Sequence, residues 1–403
     1  MLNSEPTTRL FDNRHFRNLI LGSTISMFGD QFYLVALPWL VLQMTESSVA
    51  LGSVMMLAAI PRAVLMLMGG AISDRTSPRL VMLTTACTRT ILVTGIAVLV
   101  WFNIARMWHL YILSFLFGVA DAFAIPAISA ILPVLVERQH LTKANSALQS
   151  SMQLTMIAGP APAGILIKKL GTLWAFIIDA VSFLFIIVAL WSIPDPPKPA
   201  QKKSLRAVWD SVVEGLRYVH SNIAMKTILG LSTALNFCIM GPVTVGLAML
   251  AKDRFASAGA YGAMISAFAA GGLTGSIGAG FRKQRKRGIM LLFVAGSLAI
   301  LLAIVGLLDS LLSLCAAMFL MGVISGYSNV HMTAWYQERV EPAIMGRVMS
   351  LRMFAIFGTM PISLAVAGFI AESSLKLLFL SSGILMFVVT LLAALQAPLR
   401  EVD

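Results

Sequence analysis

FLFGVAD at residues 115–121 and FLMGVIS at residues 319–325 are one phrase written twice, 204 positions apart. At the same offset Val136-Glu137 meets Val340-Glu341, Ser146 meets Ser350, and Ala163-Gly164 meets Ala367-Gly368. Any two apolar stretches look alike. Here Ser, Glu and Gly also coincide, in one unbroken register, which marks an internal duplication.

The duplicated units carry little charge. Charged residues make up 12% of the 403-residue chain, against about 25% in soluble domains. A water-exposed surface needs more, so an ordinary soluble enzyme and a disordered chain are excluded. Three scattered cysteines, Cys87, Cys238 and Cys315, exclude a disulfide scaffold and read as small buried apolar residues. A spanning helix needs about 20 mostly apolar residues. Twelve such segments occur: 16–44, 49–72, 80–102, 108–132, 144–167, 172–193, 223–250, 259–281, 288–308, 311–336, 346–371 and 374–396. The first is too long for a signal-peptide core and no cleavage site follows it, so it is expected to stay in the mature protein.

The predicted fold is therefore an all-α membrane protein with twelve spans in two pseudo-symmetric bundles of six. Residues 1–193 form the first bundle, 194–222 a linker and 223–403 the second. Pro194, Pro196, Pro197 and Pro199 stop span six. Residues 204–219 then show helical amphipathic spacing, predicting an interfacial helix. One set of loops and both termini carry 21 Lys and Arg, the other set 6. That bias predicts cytoplasmic termini. The overall charge of +12 lies in these short loops, with no aromatic-interleaved basic region, so nucleic acid is not an expected partner. Parallel six-span repeats are a transporter architecture with the site near mid-membrane between the halves.

The loop Gly70-Ala71-Ile72-Ser73-Asp74-Arg75-Thr76-Ser77-Pro78-Arg79 resembles the cytoplasmic signature of the major facilitator superfamily, departing from it at Ser77 and Pro78. The resemblance implies a cytoplasmic gate of Gly70, Asp74, Arg75 and Arg79, with Asp74 at the start of span eleven near residues 343–346. A carboxylate is favoured there by the helix dipole. Residues 158–164, AGPAPAG, are similar to the antiporter motif of exporters in that superfamily, with Gly159, Pro160 and Gly164 as its core. FGDQFYLVALPWLVLQMT (28–45), LTKANSALQSS (141–151) and FIIDAVSFL (176–184) resemble the drug, macrolide and enterobactin exporter branch. The arginine usual in drug exporters would fall at Ser114 and is absent. Location in a bacterial-type inner membrane follows from the resemblance.

Ionisable groups in hydrocarbon are functional candidates by default. Asp30 lies about 14 residues into span one, roughly 21 Å deep. Asp121 and Arg62 are similarly central in spans four and two, and Arg89 lies within span three. In the superfamily, spans one, four, seven and ten line the pathway, while spans three and six face outward. This selects Asp30, then Asp121, as proton carriers with Arg62 modulating them, because a desolvated carboxyl can take up and release a proton. It assigns Asp179 in span six to packing, and Arg352 reads as a snorkelling residue. Further cavity candidates are Gln31, Gln153, Asn236, Asn329, His331 and Trp335; the last three do not share one helical face. Span eight carries the ladders Gly271–Gly275–Ala279 and Gly272–Ser276–Gly280, read as helix-packing surfaces.

The expected function is export of a hydrophobic or amphipathic small molecule (drug, macrolide or siderophore-like) by proton antiport with alternating access. The expected partners are that cargo, protons and the lipid bilayer, with the protein a monomer and without metal or cofactor. A lysophospholipid flippase, a uniporter, or a sensor without flux are alternatives. A membrane enzyme is disfavoured: the chain has no phosphate-binding Gly-Lys-Ser/Thr loop, no paired-His motif and no Ser nucleophile elbow.

Overall fold

The computed structural model describes residues 10–73, 77–193, 213–214, 216–281 and 286–396. Spans one to four are Arg14–Thr45, Ser48–Ser73, Pro78–Trp101 and Met107–Leu135. Span five is two pieces, Leu141–Ala158 and Pro160–Leu170, and span six is Thr172–Trp191. Span seven comprises Ile223–Gly241, a π-turn at Pro242–Gly246, and Leu247–Phe255. Spans eight to twelve are Ala258–Gly280, Arg287–Val305, Leu311–Arg339, Pro342–Ser373 and Leu375–Ala394. Eleven of the twelve are long and apolar enough to cross a membrane. Span five misses that description because Pro160 lacks an N–H and splits it at Gly159.

Packing repeats as the sequence does. Spans one and six, two and four, three and four, and three and six pack together. Spans seven and twelve, eight and ten, nine and ten, and nine and twelve make the corresponding pairs. Between the two sets, span two meets span eleven and span five meets span eight. Adding six to each label turns one inter-set contact into the other. This is the arrangement of two six-helix bundles related by a pseudo-two-fold axis.

Glycines set these contacts. Lipid is as apolar as leucine, so helices associate by close backbone packing. A Cβ on Gly118 would collide with the carbonyl of Ala58, and one on Gly322, its repeat partner, with that of Phe268. Gly271 and Gly275 press likewise on the carbonyls of Phe319 and Val323 in span ten. The second ladder differs along its length. Gly272 carries Gly326 of span ten against its carbonyl, whereas Gly280 faces open space, as does Gly278 outside both ladders.

Span seven bends where Pro242 interrupts the backbone ladder. Ser363 of span eleven is inserted there. Its hydroxyl donates to the Phe237 carbonyl at 2.5 Å and accepts from the Gly241 N–H at 2.8 Å. The expected interfacial helix at 204–219 falls mostly outside the described residues. Residues 216–221 are helical, and Glu214 pairs with Arg347 of span eleven. Cys87 is exposed, contrary to its reading as a buried residue.

Gly275→Ala, which places a methyl against the Val323 carbonyl, is expected to cost about 1–3 kcal/mol. Gly278→Ala, facing open space, should be neutral or slightly stabilising. Thermal unfolding of the two purified variants in detergent distinguishes these outcomes.

Candidate functional site

The charged candidates converge. Ser23, Ser26, Met27, Asp30 and Leu34 recur at helical spacing along span one and line a cavity of about 360 Å³. Arg62 of span two, Met82, Thr85, Ala86 and Arg89 of span three, and Phe117 and Asp121 of span four face them. Met152, Thr155 and Met156 of span five and Ile186 of span six complete the wall. The cavity is thus lined by the first bundle. Most of its residues lie towards the end of the molecule where the chain begins. The second bundle reaches the cluster through Phe357, whose ring lies 5.3 Å from the Arg62 guanidinium.

Arg89 is the hub. Its guanidinium pairs with Asp121 and stands 3.6 Å from Asp30. It also lies 5.0 Å from the Phe117 ring and 5.4 Å from the Phe183 ring. Cation–π contact of this kind stabilises a guanidinium removed from water. Arg62 Nε lies 3.1 Å from the other oxygen of Asp121. Asp121 therefore pairs closely with two cations, while Asp30 has Arg89 at longer range and Arg62 as a further charged neighbour, and its Oδ1 has no hydrogen bond among the described residues. Asp30 is also the more exposed carboxylate of the two, 25% against 14%.

Asp179 sits behind this cluster, fully buried between spans one and six. Ser182 is its polar neighbour on the same helix, and Asp30 and Arg89 are its charged neighbours. It does not line the cavity, in keeping with its assignment to the packed side of span six.

The expectation that span three faces outward set Arg89 aside. Its position within an apolar run was the available signal. A lone guanidinium there requires an anion, and both candidate anions were already in view. Arg352 is likewise more than a snorkelling side chain. It donates to Asn329 at 3.0 Å and Thr333 at 3.1 Å, and lies over Tyr336.

The other candidates scatter. Gln31 lines the cavity. Gln153 donates to the Ala269 carbonyl of span eight at 3.3 Å, bridging the bundles. Asn236 and Asn329 are outside the cavity lining, Asn329 being exposed. His331 and Trp335 are buried elsewhere, His331 near Arg287 of span nine. These four lie on span seven or ten, and the cavity does not extend to those helices. Gly159 packs on Gln31, while Pro160 and Gly164 pack on Gly262 and Ala258 of span eight. The antiporter-type motif is thus an interface that also backs the cavity wall. Arg79 donates to the Leu190 carbonyl of span six at 2.8 Å. Gly70 lies within span two, and Asp74 and Arg75 lie outside the described residues. A larger groove of about 690 Å³ beside spans seven, eleven and twelve is lined by apolar residues with Lys226 and His220, and has no carboxylate.

Asp121→Ala would leave two guanidiniums short of an anion, at an expected cost of about 3 kcal/mol. Asp30→Ala leaves Arg89 paired with Asp121 and should cost less than Asp121→Ala. Thermal unfolding of both variants in detergent tests this ranking.

With that geometry in place, comparison with known proteins identifies the lineage. Macrolide efflux protein A of Streptococcus pyogenes is 25% identical over 96% of this chain and 97% of its own. Multidrug efflux pump Tap of Mycolicibacterium fortuitum is 27% identical over 93% and 94%. Among solved structures, the nucleoside transporter NupG matches with a TM-score of 0.74 at 14% identity, covering 94% of this chain and 98% of that one. A bacterial homologue of the iron transporter ferroportin matches with a TM-score of 0.69 at 18% identity, covering 95% and 99%. These structures share the fold. The profile of the family described as transmembrane secretion effector matches residues 7–403. The chain belongs to this family of the major facilitator superfamily and is a multi-pass membrane transporter, not an enzyme.

Proposed function

We propose that the protein exports a hydrophobic or amphipathic small molecule, of drug, macrolide or siderophore-like type, in exchange for protons. The observation that carries this reading is the Asp30–Arg89–Asp121–Arg62 cluster on the wall of an intramembrane cavity. Relatives named for macrolide and multidrug efflux support the direction and the cargo class. Residues 1–193 and 223–403 are the two moving bodies, joined by 194–222. Gly70, Asp74, Arg75 and Arg79 form the cytoplasmic gate. The chain works as a monomer within the lipid of a bacterial-type inner membrane, with both termini in the cytoplasm, so the cavity opens towards the cytoplasm.

Charge arithmetic suggests why a proton matters. Asp30 and Asp121 balance Arg62 and Arg89 on the cavity wall, so one bound proton leaves these four groups with a net positive charge. Asp30 is the natural acceptor, being more exposed than Asp121 and more loosely held. Protonation there leaves Arg89 to Asp121 alone. Losing a proton to the cytoplasm restores the anion that attracts Arg89, so each cycle reverses one contact. Arg62, paired with the far oxygen of Asp121, modulates that exchange.

Purified protein in liposomes, tested with a macrolide and a cationic dye, should show flux driven by an imposed pH gradient. Asp30→Asn should abolish the gradient-driven component while leaving cargo binding intact. Full gradient-driven flux in Asp30→Asn removes Asp30 from the mechanism. Flux indifferent to the gradient in the wild type favours the uniporter or flippase reading instead.

A further inference from the structure

The end of the molecule opposite the chain start is sealed by two pseudo-symmetric contacts. Where span two meets span eleven, a Cβ on Gly368 would lie 2.7 Å from the Ser48 carbonyl, and one on Gly52 2.7 Å from the Leu364 carbonyl. Where span five meets span eight, Gly164 presses on Ala258 and Gly262 on Pro160. Gly164 and Gly368, and Pro160 and Leu364, are repeat partners at the offset of 204. The seal is therefore duplicated, and it consists mainly of close backbone approaches, with the Ala161 N–H donating to the Ser266 hydroxyl at 3.1 Å where span five meets span eight.

One charged group breaks the duplication. Glu372 of span eleven reaches across the seam to the first turn of span two. Its Oε2 accepts from the Ser48 N–H at 2.8 Å, the Val49 N–H at 3.2 Å and the Ser47 hydroxyl at 3.1 Å, and the Ser48 hydroxyl stands 2.8 Å away. Ser48 is fully buried there, its hydroxyl also within 2.8 Å of the Gly368 carbonyl. The N-terminal N–H groups of a helix have no intrahelical partner and carry partial positive charge, so a carboxylate binds them strongly. The residue at the repeat position in span five is Lys168, a cation that cannot accept those bonds. A second polar tie lies nearby: Lys252 of span seven donates to the Leu42 carbonyl at 2.6 Å and to Glu46 at 3.1 Å.

We propose that Glu372 is the releasable clasp of the outer gate. Its carboxylate caps span two from the opposite bundle while the cavity is open at the other end. It lets go when the seam opens outward, and backbone contacts alone would give no such directional hold. The contacts it breaks are polar and can pass to water, so opening at this end exchanges partners without burying a bare charge. This rests on the alternating-access reading above, though not on the identity of cargo or coupling ion.

The test measures distance across the outer end in full-length protein in lipid nanodiscs. Spin labels are placed at Ile104→Cys and Leu307→Cys, both exposed loop positions in different bundles. Cys87, Cys238 and Cys315 are replaced by Ser in that background. Glu372→Ala is expected to raise the long-distance, outward-open fraction at least about tenfold, the factor that a single hydrogen bond to a charged group is worth. Glu372→Gln should fall between it and the wild type. If Glu372→Ala does not fold, the Ser47→Ala/Ser48→Ala pair removes the hydroxyl contacts and should shift the distribution in the same direction. A folded Glu372→Ala with the wild-type distribution overturns the clasp. A wild type and variants all confined to one distance at every pH tested, with and without an added macrolide, overturn the alternating-access reading together with it.

Discussion

A guanidinium inside a hydrocarbon slab has to find an anion within the protein, because lipid offers none. Arg89 meets that constraint between Asp30 and Asp121, and much of the first bundle is arranged around it. Spans one, three and four must bring their mid-membrane residues together. Phe117 and Phe183 supply ring faces where water is excluded, and Arg62 completes the balance from span two. The unequal sharing of Arg89 is the functional consequence. One carboxylate is held at close range by two cations and the other at longer range, so a single proton can change which contacts persist.

The second constraint is the weakness of helix association in lipid. Backbone proximity replaces the hydrophobic effect as the main source of specificity. Glycines at repeat positions, such as Gly118 with Gly322 and Gly164 with Gly368, place the same contact in both bundles or on both sides of the seam. The antiporter-type motif belongs to this system. Its proline and glycines shape span five so that it backs Gln31 on one side and span eight on the other. A rigid, closely packed seam with few polar ties is suited to rocking, since most contacts can separate without stranding hydrogen-bonding groups. Glu372 and Lys252 supply the polar ties at one end of it.

The span count, their order, the duplication and the family were legible in the residues because each rests on hydropathy or on register along the chain. The breaks in spans five and seven show the limit of that reading. A proline announces a lost donor, but Ser363 repairing the ladder of span seven comes from a helix more than a hundred residues away. The central carboxylates were visible for the same reason as the spans: charge within an apolar run stands out. Their partners were not. Arg89 was visible as a charge and misplaced by a rule about which spans face outward. His331 and Trp335 were plausible by residue type alone and are buried away from the cavity.

The chain's own pattern thus decided that it spans a membrane many times, in two copies of one design, with ionised groups buried midway. Those features depend on neighbours along the sequence and on the cost of charge in lipid. Tertiary structure alone decided which acid each arginine serves, that the cavity lies within the first bundle, and that Glu372 caps a helix of the other bundle. Such pairings depend on helix rotation and on distances between segments far apart in the chain. A one-dimensional pattern does not encode those distances directly, because one helical face differs from the next by only 100° of rotation per residue.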